Sequence, residues 1–577
     1  MMLTSIEIRN FKKFDYVKIE LGDPVIFIGP NNSGKTTALQ ALALWVIGIR
    51  RWQEKRGGKS APEKRTGVTI NRRDLISVPV PNANLLWRNL HTREKQEKNP
   101  KKTQNVRIDI IVEGVSEGKK WECGLEFDYA NQESLYCRPL RTSDGNRMTI
   151  PSDAGKINIA YLPPMSGLAA QESRLDVGAI NVRIGEGRTA EVLRNLCYSI
   201  VSDSQDRNIP SEEQSWNKIK KSIEDLFGAV IHPPQYIPER GEIVMSYSEL
   251  GSDVVLDLSA AGRGLHQTLL LLSYIYSNPY SVLLLDEPDA HLEILRQRQI
   301  YQLLVDAARE QCCQVIAASH SEVILNEAAD KDTLVAFIGR APHRIDDRGA
   351  QIKKALRDIG YEQYYLAEAK GWVLYLEGST DLSILKAFAE ILNHPAREVL
   401  ESPFVNYVFN QVKKVNDNFY GLREAKPDIV GIAIFDRLEP NIDLKSENGL
   451  TILMWKRREI ENYLCYPEAL VQYTLGEGSC DLFGFENQKI MKECITELVP
   501  PVALRDRNDP WWLNIKASDD FLDRLFDIYF KKLQLPNIMQ KSNYHQLARF
   551  MPKDLIDPEI CEKLDEIYSV ASQANIS

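Results

Sequence analysis

Gly29-Pro30-Asn31-Asn32-Ser33-Gly34-Lys35-Thr36 decides the fold of the first part of this chain. It is a complete G-x-x-x-x-G-K-[ST] loop. The apolar run Val25 to Ile28 before it reads as a buried strand, and Thr37 to Leu42 after it suits a helix. Glycine lets the backbone turn so that N–H groups aim at phosphate oxygens, and the following helix adds the positive end of its dipole. Gly29, Asn32, Ser33, Gly34 and Thr37 are expected to form the phosphate cradle. Lys35 reaches the β- and γ-phosphates, and the Thr36 hydroxyl binds Mg²⁺. A chance glycine-rich turn is the bland alternative, and the strand and helix around the loop speak against it.

The other parts of an ATPase site follow in order. Ser281-Val-Leu-Leu-Leu-Asp286-Glu287 is an apolar strand ending in two acids. Asp286 is placed to hold Mg²⁺, and Glu287 to orient or deprotonate the attacking water. Gln314 to Ser319 is another buried strand, and it ends at His320, a candidate to touch the γ-phosphate. Shortly before the acidic strand stands Leu258-Ser259-Ala260-Ala261-Gly262-Arg263-Gly264. Its serine and small residues suit a nucleotide contact; a plain helix N-cap at Ser259 is the rival reading.

In this order the motifs resemble the ABC-type ATPases, in the branch of chromosome-maintenance and DNA-repair ATPases. Ile6-Glu-Ile-Arg-Asn10-Phe11-Lys-Lys-Phe14 resembles that branch's N-terminal strand and turn. Asp286 to Leu292 resembles its acidic strand and interface loop, and His320 its switch histidine. Gln171 stands as the candidate for its glutamine loop. Ser259 and Gly262 stand for its signature, with a departure from Leu-Ser-Gly-Gly-Gln. The resemblance implies ATP bound between two heads, and so a homodimer or a higher homo-oligomer.

Composition bounds the whole. At 577 residues the chain is too long for one core. No run of 18 or more apolar residues predicts a membrane span, and no basic-then-apolar start predicts a signal peptide. Nine cysteines without a C-x-x-C pair point to a reducing cytoplasm and away from structural zinc. A net charge of −9 does not advertise nucleic-acid binding, but a local basic stripe is what counts. Arg93 to Lys102 mixes charges around one proline and reads as a solvated loop, with a phosphate-contacting loop as the alternative. Glu191 to Ile200 and Trp216 to Phe227 read as helices without the heptads of a long coiled coil.

A new pattern opens after a predicted connecting helix, Ile352 to Lys370. Trp372 to Leu376 reads as a buried strand, Glu377-Gly378-Ser379-Thr380-Asp381 follows, and Leu382 to Glu390 as an amphipathic helix. Val430 to Phe435 is a strand ending at Asp436. Thr451 to Trp455 is a third, followed by Glu459 and Glu461. Strand-end acids gathered at one crevice make a carboxylate cage for Mg²⁺ or Mn²⁺, which want oxygen ligands. Ordinary strand-end polarity is the bland alternative, strongest for Glu459 and Glu461 taken singly.

This second pattern resembles a Toprim domain, the metal-binding fold of topoisomerases, primases and some nucleases. Glu377-Gly378-x-Thr380-Asp381 carries the resemblance. Asp436 matches the first acid of the family's Asp-x-Asp, but Leu438 replaces the second, and Glu439 and Asp443 are the nearby candidates to compensate. An ATPase head followed by a Toprim domain is similar to the OLD family of ATP-dependent nucleases, many of which serve in anti-phage defence.

The expected architecture is α/β: an ATPase head over 1–340, a connecting helix over 341–370, a smaller Toprim-like domain over 371–470 and a mainly helical region over 471–577. The resemblance implies ATP-controlled, metal-dependent cleavage of nucleic acid, DNA first, with Glu287, His320, Glu377 and Asp436 as catalytic residues. Metal ligands would be Thr36 and Asp286 in the head, and Glu377, Asp381, Asp436 and Glu459 or Glu461 in the cage. It implies a cytoplasmic protein working with or without a second defence component. The rival from another class is an ATP-driven sensor or scaffold with a degenerate Toprim domain that acts through a separate effector. A transporter's nucleotide-binding half is disfavoured by the attached acidic domain.

Overall fold

A computed structural model describes the chain except residues 57–66, 97–98, 143, 208–209, 330, 340, 346–358, 438–445, 447, 476–481 and 576–577. Leu438, Glu439, Asp443 and the Ile352 end of the expected connecting helix therefore lie outside the described residues. The chain divides into two compact units, Met1–Lys353 and Lys354–Ser577. Among the described residues no helix is long and apolar enough to cross a membrane.

The first unit opens with β1 (Met2–Phe11) and β2 (Phe14–Glu20), which pair about the turn Lys12-Lys13. β3 (Val25–Ile28) is buried along its whole length and runs into the glycine loop, and α1 (Lys35–Arg56) leaves from it. β4 (Val68–Asn71), β5 (Ile108–Ser116), β6 (Lys119–Asn131) and β7 (Ser134–Pro139) join the hairpin in an antiparallel sheet of order β2-β1-β5-β6-β7-β4. β8 (Ile159–Leu162), β9 (Val282–Asp286), β10 (Gln314–Ser319), β11 (Thr333–Ala336) and β12 (His343–Arg344) join β3 in a second sheet, β8-β9-β10-β3-β11-β12. That sheet is parallel up to its last, antiparallel pair.

α1 is buried against both sheets. Its Ala38, Leu42, Trp45 and Ile49 share one core with Ile110 and Leu125 of the first sheet and Leu284 and Ile316 of the second. Gly48 makes the approach possible: a Cβ there would stand 2.7 Å from Leu125. The strand tips Ile28, Asp286 and Ser319 all lie at the carboxyl ends of adjacent parallel strands, where α/β sheets bind ligands.

Arg93 to Lys102 is not the loop its charge suggested. Arg93–Gln96 and Asn99–Asn105 pair as an antiparallel ribbon, with Gln104 donating to Glu94 Oε1 at 2.8 Å. The backbone ladder supplies an order that the charges do not signal.

The second unit begins with α2 (Tyr361–Lys370). β13 (Trp372–Leu376), α3 (Ser379–Ile391), β14 (Val405–Tyr407), α4 (Val412–Ala425), β15 (Val430–Phe435) and β16 (Leu450–Met454) follow. The sheet order is β14-β13-β15-β16, all parallel. Successive strand residues point to opposite faces. Leu374 and Ile432 pack with Phe388, Phe526 and Leu564, so α5 (Asp523–Lys532) and α6 (Pro558–Ser572) share that core. Val373, Tyr375 and Ala433 pack on the other face with Ala367, Val415 and Phe419 of α2 and α4. The helical C-terminal region is thus one layer of this unit, because the sheet needs apolar cover on both faces. The chain leaves β13 toward β14 and later returns to β15 on the other side. The crevice between the tips of β13 and β15 is therefore a switch point, the place where open α/β sheets hold ligands.

Candidate functional site

The head's site is built from three strand tips. Gly29 (φ +149°) and Gly34 (φ +111°) have backbones that a side chain would strain. A Cβ on Gly29 would stand 2.7 Å from the Phe337 carbonyl, and one on Gly34 would stand 2.8 Å from Phe14. Asn32 also lies in the left-handed region. Ser33 Oγ is buried without a hydrogen-bond partner, a polar group suited to an incoming phosphate. Lys35 is buried and donates to the carbonyls of Gly29 at 2.7 Å and Pro30 at 3.0 Å. Burial lowers its pKa, opposed by the charges of Glu287, Asp286 and Asp289. Thr37 is buried in the first turn of α1.

Thr36 Oγ1 donates to Asp286 Oδ1 at 3.1 Å, and Tyr161 donates its hydroxyl to Asp286 Oδ2 at 3.2 Å. Burial raises the Asp286 pKa while those two donors lower it. A hydroxyl and a carboxylate side by side next to the phosphate loop form a donor set that fits Mg²⁺. Glu287 follows at φ +50°, its N–H held by the Ala318 carbonyl at 2.8 Å. His320 Nδ1 stands 3.7 Å from Glu287 Oε1, so the histidine and the hydrolytic acid of the sequence reading meet.

Gln171 and Ser259 are not brought to this loop by any hydrogen bond among the described residues. Gln171 is exposed, while its neighbour Glu172 is buried and accepts from the Asn195 and Arg194 N–H groups. Ser259 is exposed in a short turn capped by Asp257. The helix behind it starts at Arg263 with Gly262 as its cap, so the N-cap reading of Ser259 does not hold. Open space lies where a Cβ on Gly262 would stand. Gly262 and Arg263 line a 750 Å³ cleft with His291 and Arg296.

Three residues near this site were given no role by the sequence. Tyr161 lies on β8, an unremarked apolar strand. Lys13 donates to the Asn32 carbonyl. Lys12 donates to Gln40, and burial brings its ammonium down to about 8.

Residues 1–48 match the family model "AAA ATPase domain". Residues 197–326, which hold Ser259, Asp286, Glu287 and His320, match "AAA domain, putative AbiEii toxin, Type IV TA system". The first unit carries an AAA-type ATPase domain. Three solved structures are similar to the chain at low identity. One is the SmcHead bound to the C-winged helix domain of ScpA: 13% identity, 58% of this chain and 94% of that chain, TM-score 0.33. The SMC head domain from Thermotoga maritima matches at 15% identity over 60% of this chain and 98% of that chain, TM-score 0.32. The Smc head with an extended coiled coil bound to the C-terminal domain of ScpA from Pyrococcus furiosus matches at 15% identity over 60% and 96%, TM-score 0.32. No curated protein matches the chain.

The second unit gathers acids at its switch point. Asn410 Nδ2 donates to Glu377 Oε2 at 2.8 Å and to Asp436 Oδ2 at 3.3 Å, and its Oδ1 accepts from the Asp436 N–H at 3.1 Å. Burial, then the hydrogen bond and charge of Glu377, then Asp381 and Glu461, push Asp436 up to about 10. Asp381 is buried, and its Oδ2 accepts from the Glu377 N–H at 3.2 Å. Burial and the Glu377 charge push it up to about 6. Glu461 is pushed up to about 8 by burial and by Glu459 and Asp381.

Glu459 has a different task. Its carboxylate accepts from the Ser518 N–H and caps the turn Ile460–Tyr463. Glu461, which faces the other acids, is the better candidate ligand of the two. Arg457 is turned away onto Tyr466 and Asp557. Among the described residues no three acids, histidines or cysteines are arranged to enclose a cation as they stand. The expected cage is instead a Glu377–Asp436 pair spanned by the Asn410 amide, with Asp381 and Glu461 adding charge. The donor set is hard oxygen throughout and short of positive charge, which fits Mg²⁺ or Mn²⁺.

Sequence reasoning missed Asn410, which follows a three-residue strand and belongs to no motif. It also missed Lys541 and Lys516. Burial lowers the Lys541 pKa, and the charges of Glu461, Glu459, Asp519 and Glu377 raise it by more. Lys516 is raised by its hydrogen bond to Asp519 and, more weakly, by Glu459 and Glu377.

Proposed function

We propose that the chain is an ATP-controlled, divalent-metal-dependent nuclease of the OLD type, acting on nucleic acid in anti-phage defence. The observation that carries the proposal is the carboxylate group at the β13–β15 switch point, with Asn410 between Glu377 and Asp436. Such a concentration of buried acid costs folding energy and gains nothing for stability. Divalent ions held there supply activation of water and charge stabilisation of the leaving oxygen. Glu377, Asp436 and Asp381 are the proposed ligands, with Glu461 assisting. Lys541 and Lys516 supply positive charge for the substrate's phosphates.

In the head, Lys35 turns from the loop carbonyls to the β- and γ-phosphates, Thr36 and Asp286 hold Mg²⁺, and Glu287 takes the proton of the attacking water with His320 beside it. Ser259 and Gly262 would meet ATP on a second copy. Their exposure supports this, as does that of Val254, Val255, Ile294 and Leu295, apolar side chains that a lone head leaves in water. Control of cleavage by ATP needs only a few kcal/mol of differential affinity between two states. The word toxin in the matched family description supports a defence role. DNA is the first substrate to test and cytoplasm the expected location.

The second reading, an ATPase sensor or scaffold serving a separate effector, is favoured by Leu438, which removes one expected ligand. A cleavage assay decides between them. Single- and double-stranded DNA and RNA are incubated with Mg²⁺ or Mn²⁺, with and without ATP. Glu377→Ala is expected to abolish cleavage and keep ATP turnover. No cleavage by the wild-type chain under any condition, or undiminished cleavage by Glu377→Ala, leaves the sensor reading.

A further inference from the structure

The segment just past β14 holds an aromatic side chain that folding does not explain. Val408 N–H donates to the Leu376 carbonyl at 2.9 Å, and Phe409 N–H to the Glu377 carbonyl at 3.4 Å. Phe409 is therefore fixed one hydrogen bond from a proposed metal ligand, and Asn410, its neighbour, spans the two acids. Phe409 has φ +50° and Asn410 φ +56°. Asparagine adopts the left-handed region readily. A phenylalanine there is strained, because its Cβ crowds the backbone. Strain of this kind is ordinarily repaid by burying the ring. Here Phe409 is 66% exposed.

Its neighbours give the ring a chemistry. The Lys414 ammonium stands 5.7 Å from the ring centroid, over the π-face. Lys413 beside it is exposed. Two residues earlier on the strand, Tyr407 is 38% exposed. An exposed ring, a second aromatic and two lysines at the rim of an acidic crevice match what single-stranded nucleic acid needs. Bases stack on the rings, and phosphates meet the ammonium groups. A base inside a duplex is already stacked on both faces and cannot use such a platform.

We infer that Phe409, with Tyr407 and Lys414, is a stacking platform that selects single-stranded nucleic acid and seats one base beside the carboxylate pair. The inference rests on the nuclease reading for its purpose, but its test does not. The strained backbone then has a reason: it turns Asn410 toward the acids and leaves the preceding ring outside for a base.

The test is equilibrium binding of the full chain to a fluorescent twelve-nucleotide oligothymidine and to a blunt duplex, in EDTA so that nothing is cut. Phe409→Ala is expected to weaken single-strand binding tenfold or more, the scale of one lost base stack, and to leave duplex binding unchanged. Phe409→Trp restores single-strand binding, and its indole emission is quenched when the oligonucleotide binds. Phe409→Gly guards against misfolding: it relieves the positive φ, so its thermal midpoint stays at or above wild type while single-strand binding falls as in Phe409→Ala. Equal binding by wild type and Phe409→Ala overturns the platform, as does a wild-type preference for duplex. If the wild type prefers single strands through Phe409 but cleaves nothing with Mg²⁺ or Mn²⁺, the nuclease reading fails and the platform stands. If cleavage depends on Glu377 and Phe409→Ala binds normally, the platform fails and the nuclease reading stands.

Discussion

Asp436→Asn is expected to stabilise the metal-free protein, and the gain is expected to grow with pH. Asp436 is pushed up from 3.8 to about 10 by burial and by Glu377, Asp381 and Glu461. The sign follows from proton counting. Between pH 3.8 and about pH 10 the folded chain keeps a proton on this group that the unfolded chain has released. The unfolded state binds fewer protons, so stability falls as pH rises through that window. The penalty is absent below the unfolded pKa, grows by about 1.4 kcal/mol per pH unit and levels off above the folded pKa. At pH 7 the single-group limit is about 4 kcal/mol, an upper bound for a carboxyl that interacts strongly with its neighbouring acids.

Asparagine has the same shape and no charge to lose. Its amide can donate to Glu377 as the carboxyl proton does, and its Oδ1 can accept from Asn410 Nδ2. Wild type and Asp436→Asn should be melted in EDTA at pH 5.5 and pH 8.5. The gap at the higher pH is expected to exceed that at the lower by about 5 °C or more, on the rule that about 1 kcal/mol moves a unit of this size by roughly 2–4 °C. Adding Mn²⁺ should raise the wild-type midpoint by more than the variant's, since the substitution removes one of the charged ligands. A variant less stable than wild type at pH 8.5, or a gap that does not change with pH, refutes the reasoning. Asp436 would then be ionised in the folded protein, and the acids would not be acting on one another.

Four further variants concern the head. Lys35→Ala should abolish ATP binding in calorimetry, whereas Glu287→Gln should bind ATP as wild type and lose turnover by about 100-fold or more, the scale of a lost general base. Tyr161→Phe removes one donor from Asp286 and should weaken Mg²⁺-dependent ATP binding by roughly fivefold, about 1 kcal/mol, with metal-free nucleotide binding unchanged in the same titration. Ser259→Arg should keep ATP binding but lose ATP-driven pairing; sedimentation with ATP should show the wild type as a dimer or larger and the variant as a monomer, and equal assembly of the two would remove Ser259 from the interface.

What the sequence made legible follows from how the strands are buried. Val25 to Ile28, Val282 to Asp286, Gln314 to Ser319, Trp372 to Leu376 and Val430 to Phe435 are parallel strands covered on both faces, so each reads as an unbroken apolar run. Ile108 to Ser116 is covered on one face and alternates buried with half-buried residues, a weaker signal that passed unremarked, as did Lys119 to Asn131 and Ser134 to Pro139 of the same sheet. The ribbon from Arg93 to Asn105 was hidden because its order comes from backbone pairing and its charges speak only of solvent. The C-terminal helices gave no motif because their task is to cover one face of the β13–β15 sheet, which any well-patterned apolar set can do.

The two sites differ in legibility for a further reason. A phosphate loop uses backbone N–H groups, so its geometry is fixed by spacing within eight residues and survives as a motif. Around Asp286 the partners are donors: Thr36 and Tyr161 satisfy both oxygens. Around Asp436 the partners are mostly other acids, drawn from Glu377, Asp381 and Glu461 on separate elements, and among the described residues Asn410 donates to it. Those residues need no common spacing, because the switch point of the sheet brings them together. An acid such as Glu459, which stands in the same short run of sequence, can therefore serve as a turn cap while Glu461 faces the crevice. At Asp286 two hydroxyl donors oppose the effect of burial, whereas at Asp436 burial and the neighbouring acids act in the same direction. On the proposed reading, a divalent cation would relieve that repulsion among the acids.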